Sequence, residues 1–331
     1  MKAIIPVAGA GTQLRPLTYT QPKPLIPVAG KPIISYILDN LQRAGVQEFI
    51  FVIGYLGEKI KDYIEYRYPD LEKTFVKQEN RFGTGHAVYS AREFIEGIDE
   101  LFIYYGDTLV DMDFEKMMNA PNSSFAVKKV DEPRGFGIVE FDLDGKVKRV
   151  IEKPKIPKSN MAMVGLYRIK EVGALLEAIE FNIQNNKKTE GEFSLTDALM
   201  RMITNSIPFS AIEVDNWYDC GKKDTLLATN AILLDKEGYA SYDLPNYDNS
   251  IVIHPVSIGK NCKIMNSIVG PHVTIGSQVT INASIVQNSI IGNYASLNEV
   301  SLKDSVIGND TSIKGFRKSL NIGDNTEIDL S

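Results

Sequence analysis

The chain has 331 residues, of which 44% are hydrophobic and 24% are charged, and its formal net charge is −6. This composition is close to that of globular proteins, which argues against a disordered chain, and the length favours two packed domains. Because the chain is not basic overall, we expect neither nucleic acid nor a membrane as its main partner.

The two cysteines, Cys220 and Cys262, are far apart and form no CxxC pair. This spacing indicates neither a zinc site nor a disulfide framework and is typical of a reducing compartment. The apolar run at the N-terminus is too short for a signal peptide, and no later run reaches the roughly 18 apolar residues of a membrane span. We therefore expect a cytoplasmic protein.

The first part of the chain alternates short β-branched or aromatic runs with amphipathic stretches. Such alternation predicts βαβ units and a mainly parallel sheet. The predicted strands cover residues 3–7, 49–53, 74–77 and 101–105, and the predicted helices cover residues 32–44, 58–66 and 85–94. Ligands of such sheets bind beyond the carboxyl ends of the strands, which points to the loops after Val7, Lys77 and Tyr105.

From about residue 123 the pattern becomes richer in strands, which indicates an insertion covering one side of the site. The predicted strands cover residues 124–130, 137–142, 147–152 and 161–168. Helical patterns return at 174–183, 195–204 and 224–234, with a strand at 209–214 between the last two.

After residue 250, apolar residues recur at six-residue steps, and many are followed by glycine. They are Ile258, Ile264, Val269, Ile275, Ile281, Ile291, Leu297, Ile307, Ile313, Ile322 and Ile328. A hexapeptide period predicts a parallel β-helix, while a run of antiparallel hairpins is the alternative. The gap between Ile281 and Ile291 indicates a loop or an imperfect coil. We expect one domain over residues 1–240 and a β-helix domain over residues 241–331.

A glycine-rich turn, Gly9-Ala10-Gly11-Thr12-Gln13-Leu14-Arg15-Pro16, follows the first predicted strand directly, and Pro22-Lys23-Pro24 comes soon after it. Glycines at a strand end allow the backbone to approach a polyphosphate, although the same pattern is often only a tight turn. The dinucleotide fingerprint would have glycine where Leu14 stands, and the Gly-Lys-Ser/Thr of a P-loop is absent.

The turn resembles the signature of hexose-1-phosphate nucleotidyltransferases, usually Gly-x-Gly-Thr-Arg-Leu-x-Pro followed by Pro-Lys. Further matches follow in that family's order: Gly83-Thr84-Gly85-His86-Ala87, Gly106-Asp107, Gly135-Phe136-Gly137, Glu152-Lys153-Pro154, Val164-Gly165-Leu166-Tyr167 and Trp217-Tyr218-Asp219-Cys220-Gly221. The resemblance implies an α/β, Rossmann-like nucleotidyltransferase domain with a mainly parallel mixed sheet. It also implies that the tail is a small left-handed parallel β-helix.

The resemblance implies transfer of a nucleoside monophosphate from a nucleoside triphosphate to a hexose-1-phosphate, with release of pyrophosphate. Gln78 resembles the glutamine that reads uracil or thymine in pyrimidine-selective members, because a carboxamide both donates and accepts hydrogen bonds. We therefore expect dTTP or UTP with glucose-1-phosphate. GTP with mannose-1-phosphate is the alternative pair.

The same resemblance assigns roles to individual residues. Asp107 and Asp219 would hold Mg²⁺, an ion that prefers oxygen ligands, although without the resemblance either aspartate is more typical of a turn or a helix cap. Lys23 would lie against the nucleotide phosphates and Lys153 against the sugar phosphate, whereas most exposed lysines are only solvated. Lys23, Asp107, Asp219 and Gln13 would be the catalytic set. The nucleotide-binding set is Ala8, Gly9, Gly11, Thr12, Gln78, Gly83 and Thr84, and the sugar-phosphate-binding set is Gly137, Glu152, Lys153, Val164 and Tyr167.

Gln13 departs from the family signature, which normally has arginine at that position, against the triphosphate. Glutamine keeps hydrogen-bonding capacity and loses the charge. This departure opens a second interpretation, a weakly active or non-catalytic regulatory paralogue that binds sugar nucleotides.

The repeat region carries two of the three histidines, His254 and His272. In bifunctional relatives a β-helix histidine assists acetyl transfer, but here surface or packing roles are favoured. We expect the tail to mediate contacts in a homo-oligomer or to support the catalytic domain.

Overall fold

The computed structural model describes residues 1–236 and 238–315. The chain divides into two compact units, Met1–Thr229 and Asn230–Ser331. The domain boundary expected between residues 240 and 241 stays a prediction, and Ile322 and Ile328 of the predicted repeat lie outside the described residues.

The first unit contains thirteen strands. They are β1 (Lys2–Pro6), β2 (Pro27–Val28), β3 (Lys31–Pro32), β4 (Glu48–Ile53), β5 (Glu72–Lys77), β6 (Leu101–Tyr104), β7 (Thr108–Asp111), β8 (Ser123–Lys129), β9 (Ile138–Phe141), β10 (Val147–Ile151), β11 (Met161–Ile169), β12 (Phe209–Glu213) and β13 (Asn216–Asp219). Seven helices accompany the strands in the described part of the chain: α1 (Ile33–Arg43), α2 (Gly57–Arg67), α3 (Thr84–Ser90), α4 (Phe114–Met118), α5 (Val172–Gln184), α6 (Leu195–Thr204) and α7 (Lys223–Asp235).

Nine of these strands form one mixed sheet with the path β10-β9-β11-β6-β1-β4-β5, and β8 and β12 join it beside β11. The strands β6, β1, β4 and β5 run parallel, whereas β11 is antiparallel to β6, β8 and β9. The carboxyl ends of β1, β5 and β6 therefore share one edge, because parallel strands end on the same side. This architecture confirms the predicted Rossmann-like mixed sheet.

The local sequence explains where the helices form. In α1, Ile33, Ile37 and Leu41 recur at helical spacing and are fully buried, so the helix packs its apolar face inward. Ser194 caps α6, because its side chain accepts the Thr196 N–H at 3.1 Å.

One predicted helix, residues 85–94, is shorter than expected. The structure ends α3 at Ser90 and continues in a 3₁₀ turn at Arg92–Phe94. Ala91 has φ −96° and ψ 9°, and its N–H donates to the carbonyl of Val88, so the chain tightens there.

The main core of the first unit lies between the sheet and helices α3, α5 and α6. Ile4 and Ile103 of the central strands are fully buried there, with Val88 of α3, Leu175 of α5 and Leu199 of α6. This packing holds the strand ends in fixed positions, because interiors are close-packed and resist local shifts.

A two-stranded antiparallel ribbon, β7–β13, was not predicted from the sequence. It pairs Thr108 with Asp219, and the Cys220 N–H donates to the Asp107 carbonyl at 3.2 Å. Its pairing joins residues more than a hundred positions apart, which no local pattern reveals. The ribbon brings Asp107 and Asp219 to the same place in the fold.

The second unit consists of short strands stacked in three parallel sheets. They are β14 (Ile251–Val252), β15 (Val256–Ile258), β16 (Lys263–Met265), β17 (Ile268–Val269), β18 (Val273–Ile275), β19 (Thr280–Asn282), β20 (Ile285–Gln287), β21 (Ile290–Ile291), β22 (Ser296–Asn298), β23 (Ser301–Lys303), β24 (Val306–Ile307) and β25 (Ser312–Lys314). The sheet orders are β14-β17-β20-β23, β15-β18-β21-β24 and β16-β19-β22-β25.

These three parallel sheets agree with a left-handed β-helix and exclude antiparallel hairpins among the described strands. The inward side chains, among them Ile264, Ile281 and Leu297, form a continuous apolar core. The apparent gap between Ile281 and Ile291 contains Val286, which is fully buried, so the coil continues there without interruption. Among the described residues, no helix has the length and apolar character that crossing a membrane requires.

Candidate functional site

The glycine-rich loop after β1 folds tightly against the segment that carries Lys23. Gly11 has φ +60°, and a Cβ atom there would lie 3.0 Å from Thr18 Cγ2 and 3.2 Å from Lys23 Cβ. The Thr18 hydroxyl donates to the Gly11 carbonyl at 2.8 Å. A side chain at Gly9, by contrast, would meet no atom within 4 Å. Gly11 is therefore required for the turn, while Gly9 leaves open space into which a ligand can approach the backbone.

A cavity of about 260 Å³ lies beside this loop, at the carboxyl ends of β1, β5 and β6. Its lining contains predicted nucleotide-binding residues from two motifs. The lining residues are Pro6, Val7, Ala8, Gly9, Gly11, Lys23, Pro24, Gln78, Arg81, Gly83, Thr84, Ala87, Tyr105, Gly106, Asp107 and Glu192. Thr12 and Gln13 lie outside this lining and are exposed.

Three charged groups, Lys23, Asp107 and Asp219, interact beside the cavity, and the first two belong to its lining. The Lys23 ammonium nitrogen lies 2.6 Å from Asp107 Oδ2, and the lysine side chain is only 12% exposed. Burial raises the pKa of Asp219, the Lys23 ammonium lowers it, and the Asp107 carboxylate raises it. The Gly221 N–H donates to Asp219 Oδ1 at 2.9 Å. The cluster thus places one largely buried cation close to two carboxylates.

Two carboxylates alone do not complete a metal site. In the part of the chain that the structure describes, no three His, Cys, Asp or Glu side chains are arranged to hold a metal ion. The donor chemistry of Asp107 and Asp219 nevertheless suits Mg²⁺, which is commonly bound by one or two carboxylates together with substrate phosphates and water. The remaining ligands would then come from the substrate.

The cavity lining also includes Gln78, which is 5% exposed. Its side-chain Nε2 lies 3.3 Å from the Gly83 carbonyl oxygen and 3.0 Å from His86 Nδ1. Burial lowers the pKa of His86 below its ordinary value of 6.5. The predicted base-reading side chain is therefore held by two partners from the loop and helix that follow it.

The predicted sugar-phosphate residues form a second group. The Thr196 hydroxyl donates to Glu152 Oε2 at 2.5 Å. A Cβ atom at Gly137 would lie 3.1 Å from both Glu152 Oε2 and Thr196 Oγ1, and 2.6 Å from Met163 Cε. Gly137 is thus needed for the close approach of these side chains.

Lys153 has φ +39°, and its ammonium nitrogen lies 3.0 Å from Glu190 Oε2. The hydrogen bond to Glu190 raises the pKa of Lys153. Glu190 belongs to the short loop that also carries Glu192, a residue of the cavity lining. Lys153 therefore adds a positive charge to this second group of residues, and its partner in the free protein is the Glu190 carboxylate.

Tyr167 and Val164 are almost completely buried, at 2% and 1% exposure. The rings of Tyr167 and Tyr105 have centroids 5.5 Å apart, and Tyr105 rather than Tyr167 lines the cavity. Burial raises the pKa of both hydroxyls, so both stay neutral. Tyr167 therefore supports the wall from behind.

Sequence reasoning missed Arg81, Tyr105 and Glu192 in the cavity lining, and Thr196 beside Glu152. Arg81 and Glu192 lie outside the strands and helices. Arg81 lies between Gln78 and Gly83 in the loop after Lys77, so its position was a signal that could have found it. The sequence around Glu192 carries no such signal, because folding rather than motif spacing brings its loop to the cavity.

Comparison with known proteins places this chain in context. The family model described as "Nucleotidyl transferase" matches residues 2–236. The "Bifunctional protein GlmU" of Methanococcus maripaludis is 36% identical over 240 residues, which cover 71% of this chain and 55% of that protein. The "Glucose-1-phosphate thymidylyltransferase" of Streptomyces griseus is 30% identical over 314 residues, covering 88% of this chain and 87% of that one.

Among solved structures, a UDP-glucose pyrophosphorylase complexed with UDP-glucose aligns with a TM-score of 0.61 and 23% identity. The alignment covers 70% of this chain and 97% of that structure. At this identity the likeness establishes a common fold. The present chain spans only about half, 55%, of the length of the Methanococcus maripaludis protein.

Proposed function

The chain belongs to the nucleotidyl transferase family, and from that premise we propose that it joins a nucleoside triphosphate to a hexose-1-phosphate and releases pyrophosphate. We favour dTTP or UTP as the nucleotide and glucose-1-phosphate as the sugar phosphate. The observation that carries the proposal is the cluster of Lys23, Asp107 and Asp219, of which the first two line a cavity that a glycine-rich loop borders.

In this reaction a phosphate oxygen of the sugar phosphate attacks the α-phosphorus. The new P–O bond forms as the bond from the α-phosphorus to the oxygen bridging it to the β-phosphate breaks, and pyrophosphate departs. Such transfer depends mainly on positioning and on neutralising charge. No nucleophilic side chain of the protein is required.

The roles follow from the charges in the site. Asp107 and Asp219 would hold Mg²⁺, which, when bound, neutralises and orients the phosphates. Lys23 bonds to Asp107 in the free protein and would turn its ammonium group to the α-phosphate when the triphosphate enters. Its burial strengthens that interaction, because the surroundings screen charge less than water does.

Lys153 would bind the phosphate of the sugar phosphate. In the free protein its ammonium group contacts Glu190, so the incoming phosphate replaces one anionic partner by another. Glu152, with one oxygen bonded to Thr196, keeps its other oxygen available for a sugar hydroxyl.

The test is a panel that crosses dTTP, UTP, GTP and CTP with glucose-1-phosphate and mannose-1-phosphate in the presence of Mg²⁺. We expect pyrophosphate release with dTTP or UTP and glucose-1-phosphate, and its loss when Mg²⁺ is chelated. Release only with GTP and mannose-1-phosphate would replace our substrate pair by the alternative one.

A second candidate is a regulatory paralogue that binds sugar nucleotides without turnover. The observation that favours it is Gln13, an exposed, uncharged residue outside the cavity lining. Tight binding of a nucleotide sugar without pyrophosphate release from any pair would select this function.

We also propose that the β-helix mediates contacts between copies of this chain. Ile251 and Ile285, in strands of one β-helix sheet, are 59% and 41% exposed. Replacing both by serine should lower the mass measured by light scattering if this surface joins copies. An unchanged mass would remove this surface from the interface.

A further inference from the structure

The side chain of Gln78 has little freedom to change its orientation. Its backbone follows β5 directly, and its N–H donates to the carbonyl of Ile53 at 2.8 Å. The residue is 5% exposed and borders the cavity. Two orientations of the carboxamide therefore remain, one with its oxygen and one with its nitrogen facing the cavity.

The Gly83 carbonyl determines that choice. It lies 3.3 Å from the amide nitrogen Nε2 of Gln78, and a carbonyl oxygen can only accept a hydrogen bond. The reversed carboxamide would set two acceptor oxygens against each other. Nε2 must consequently be the end that faces Gly83.

The second proton of the same nitrogen points to His86. Nε2 lies 3.0 Å from His86 Nδ1, and because the amide nitrogen can only donate, Nδ1 must accept. A neutral imidazole with its proton on Nε2 provides that acceptor. Both amide protons of Gln78 are then used.

The imidazole is itself held in place. The Phe82 ring packs edge-on against it with centroids 5.3 Å apart. The Ser90 hydroxyl bonds only to the main-chain carbonyl of His86, at 2.9 Å, and does not contact the ring nitrogens. Burial lowers the pKa of His86, which favours the neutral form that the hydrogen bond requires.

The carboxamide oxygen is left to meet a ligand. Within residues 1–236 and 238–315, Oε1 of Gln78 receives no hydrogen bond, while both protons of Nε2 are engaged. An acceptor at this place in the cavity suits a base that presents a ring N–H. Uracil and thymine do so at the middle of their pairing edge, whereas cytosine has an acceptor nitrogen there.

We propose that His86 is a positioning residue, which turns the Gln78 carboxamide oxygen toward the cavity and so selects uracil or thymine over cytosine. The inference rests on the proposed function, since it takes the cavity to hold a nucleoside triphosphate. It goes further by assigning base discrimination to a pair of residues rather than to Gln78 alone.

The test measures dissociation constants of UTP and CTP with Mg²⁺ by calorimetry, and kcat and KM for both nucleotides. Because one neutral hydrogen bond is at stake, we expect the CTP-to-UTP ratio of dissociation constants to fall about fivefold in His86→Leu. The kcat with UTP should change less than about twofold, since the bond is made in the ground and transition states alike. His86→Asn, whose side-chain oxygen can accept in place of Nδ1, should regain most of the ratio.

A double-mutant cycle separates positioning from a general structural role. If His86 acts through Gln78, adding His86→Leu to Gln78→Ala should leave the ratio unchanged. Ser90→Ala, on the same helix, is the matched control and should keep the wild-type ratio. An unaltered CTP-to-UTP ratio of dissociation constants in His86→Leu would overturn the proposal. So would a fall in that ratio that is equally large with Gln78 and with Gln78→Ala.

Measuring binding and turnover together distinguishes the proposed reaction from the positioning role of His86. If the wild type releases no pyrophosphate but its preference for UTP depends on His86, the proposed reaction fails and the positioning role stands. If the wild type turns over and binds UTP and CTP equally, the positioning role fails and the proposed reaction stands.

Discussion

The ammonium nitrogen of Lys23 lies 2.6 Å from Oδ2 of Asp107, although 84 positions separate the two residues. The contact joins the 3₁₀ turn that begins at Lys23 to the residue directly before the ribbon strand β7. In the proposed reaction it must open, because the metal and the α-phosphate compete for these two groups. In the free protein the two side chains that we propose as catalytic thus neutralise each other's charge.

The first prediction is that Asp107→Asn and Asp219→Asn each lower kcat at least about a hundredfold, because a metal ion stabilises several kcal/mol of transition-state charge. Pyrophosphate release at saturating Mg²⁺ measures the effect. Asp224→Asn is the matched control, since Asp224 is 93% exposed and does not belong to the cavity lining. Near-normal turnover in either site variant, with an unchanged circular dichroism spectrum, would refute the metal assignment.

The second prediction concerns the ion pair of Lys153 and Glu190. Lys153→Ala should raise KM for the sugar phosphate at least about tenfold, because a hydrogen bond to a charged group contributes about 1.5–3 kcal/mol. Glu190→Gln should lower that KM, since the phosphate no longer competes with a carboxylate. Lys158→Ala, an exposed lysine of the same loop region, serves as control. Equal KM values in all variants would remove Lys153 from the phosphate site.

The third prediction is a pH dependence of base selectivity. Burial lowers the pKa of His86 below 6.5, so the imidazole stays neutral at pH values where an ordinary histidine begins to take up a proton. The preference for UTP over CTP should hold from pH 8 to about 6.5 and decline toward about pH 5. Protonation of Nδ1 would remove the acceptor that orients Gln78.

The sign of the accompanying stability effect follows from linkage. A histidine with a lowered pKa in the folded state binds fewer protons there than in the unfolded chain. The contribution of His86 to the free energy of unfolding is therefore lost as the pH falls below 6.5. The His86→Asn variant lacks this titration and should keep a constant UTP-to-CTP preference over the range. A wild-type preference that is constant down to about pH 5, in a folded protein, would contradict the role of His86.

The fourth prediction tests the β-helix core. Ile281 is fully buried, so Ile281→Ala should lower the free energy of unfolding of the second unit by about 2–5 kcal/mol. Ile253, which is 40% exposed, gives the matched control Ile253→Ala with a much smaller loss. Urea titration followed by circular dichroism measures both. Comparable losses would mean that Ile281 does not belong to a packed core.

The sequence predicts those features that one segment determines alone. The alternation of strands and helices places the glycine-rich turn at the end of β1, and Gly11 has the positive φ that such a turn needs. The hexapeptide period predicts the stacked sheets, because each six-residue repeat buries one aliphatic residue at a fixed interval. Val286 escaped notice because it departs from that six-residue step while still filling the core.

Features that depend on distant pairing could not be predicted in the same way. The β7–β13 ribbon brings Asp107 to Asp219, yet each strand has only four residues and no distinctive pattern. Glu192 reaches the cavity only because folding brings its loop against Gly83. The resemblance to a family signature suggested the two aspartates as partners, whereas their local sequence did not.

The last prediction is that Gln13→Arg raises pyrophosphate-forming activity about tenfold with the preferred substrate pair. An arginine beside the β- and γ-phosphates would contribute charge-assisted hydrogen bonds of about 1.5–3 kcal/mol, which corresponds to one or two powers of ten in rate. Gln13 is exposed on the 3₁₀ turn Thr12–Leu14, so a longer side chain can be accommodated there. Arg15 does not obviously substitute for it, because its guanidinium group lies 5.0 Å over the Tyr19 ring.

Gln13→Lys is the matched comparison, since it restores the charge without the planar, bidentate group, and it should give a smaller gain. Arg15→Ala in the wild-type background then measures whether Arg15 already serves the triphosphate. If Arg15→Ala abolishes turnover while Gln13→Arg brings no gain, Arg15 has taken over the role and glutamine is a tolerated replacement. If turnover stays absent in Gln13→Arg while a nucleotide sugar binds tightly, the charge at this position is not what the site lacks, and the regulatory function takes precedence.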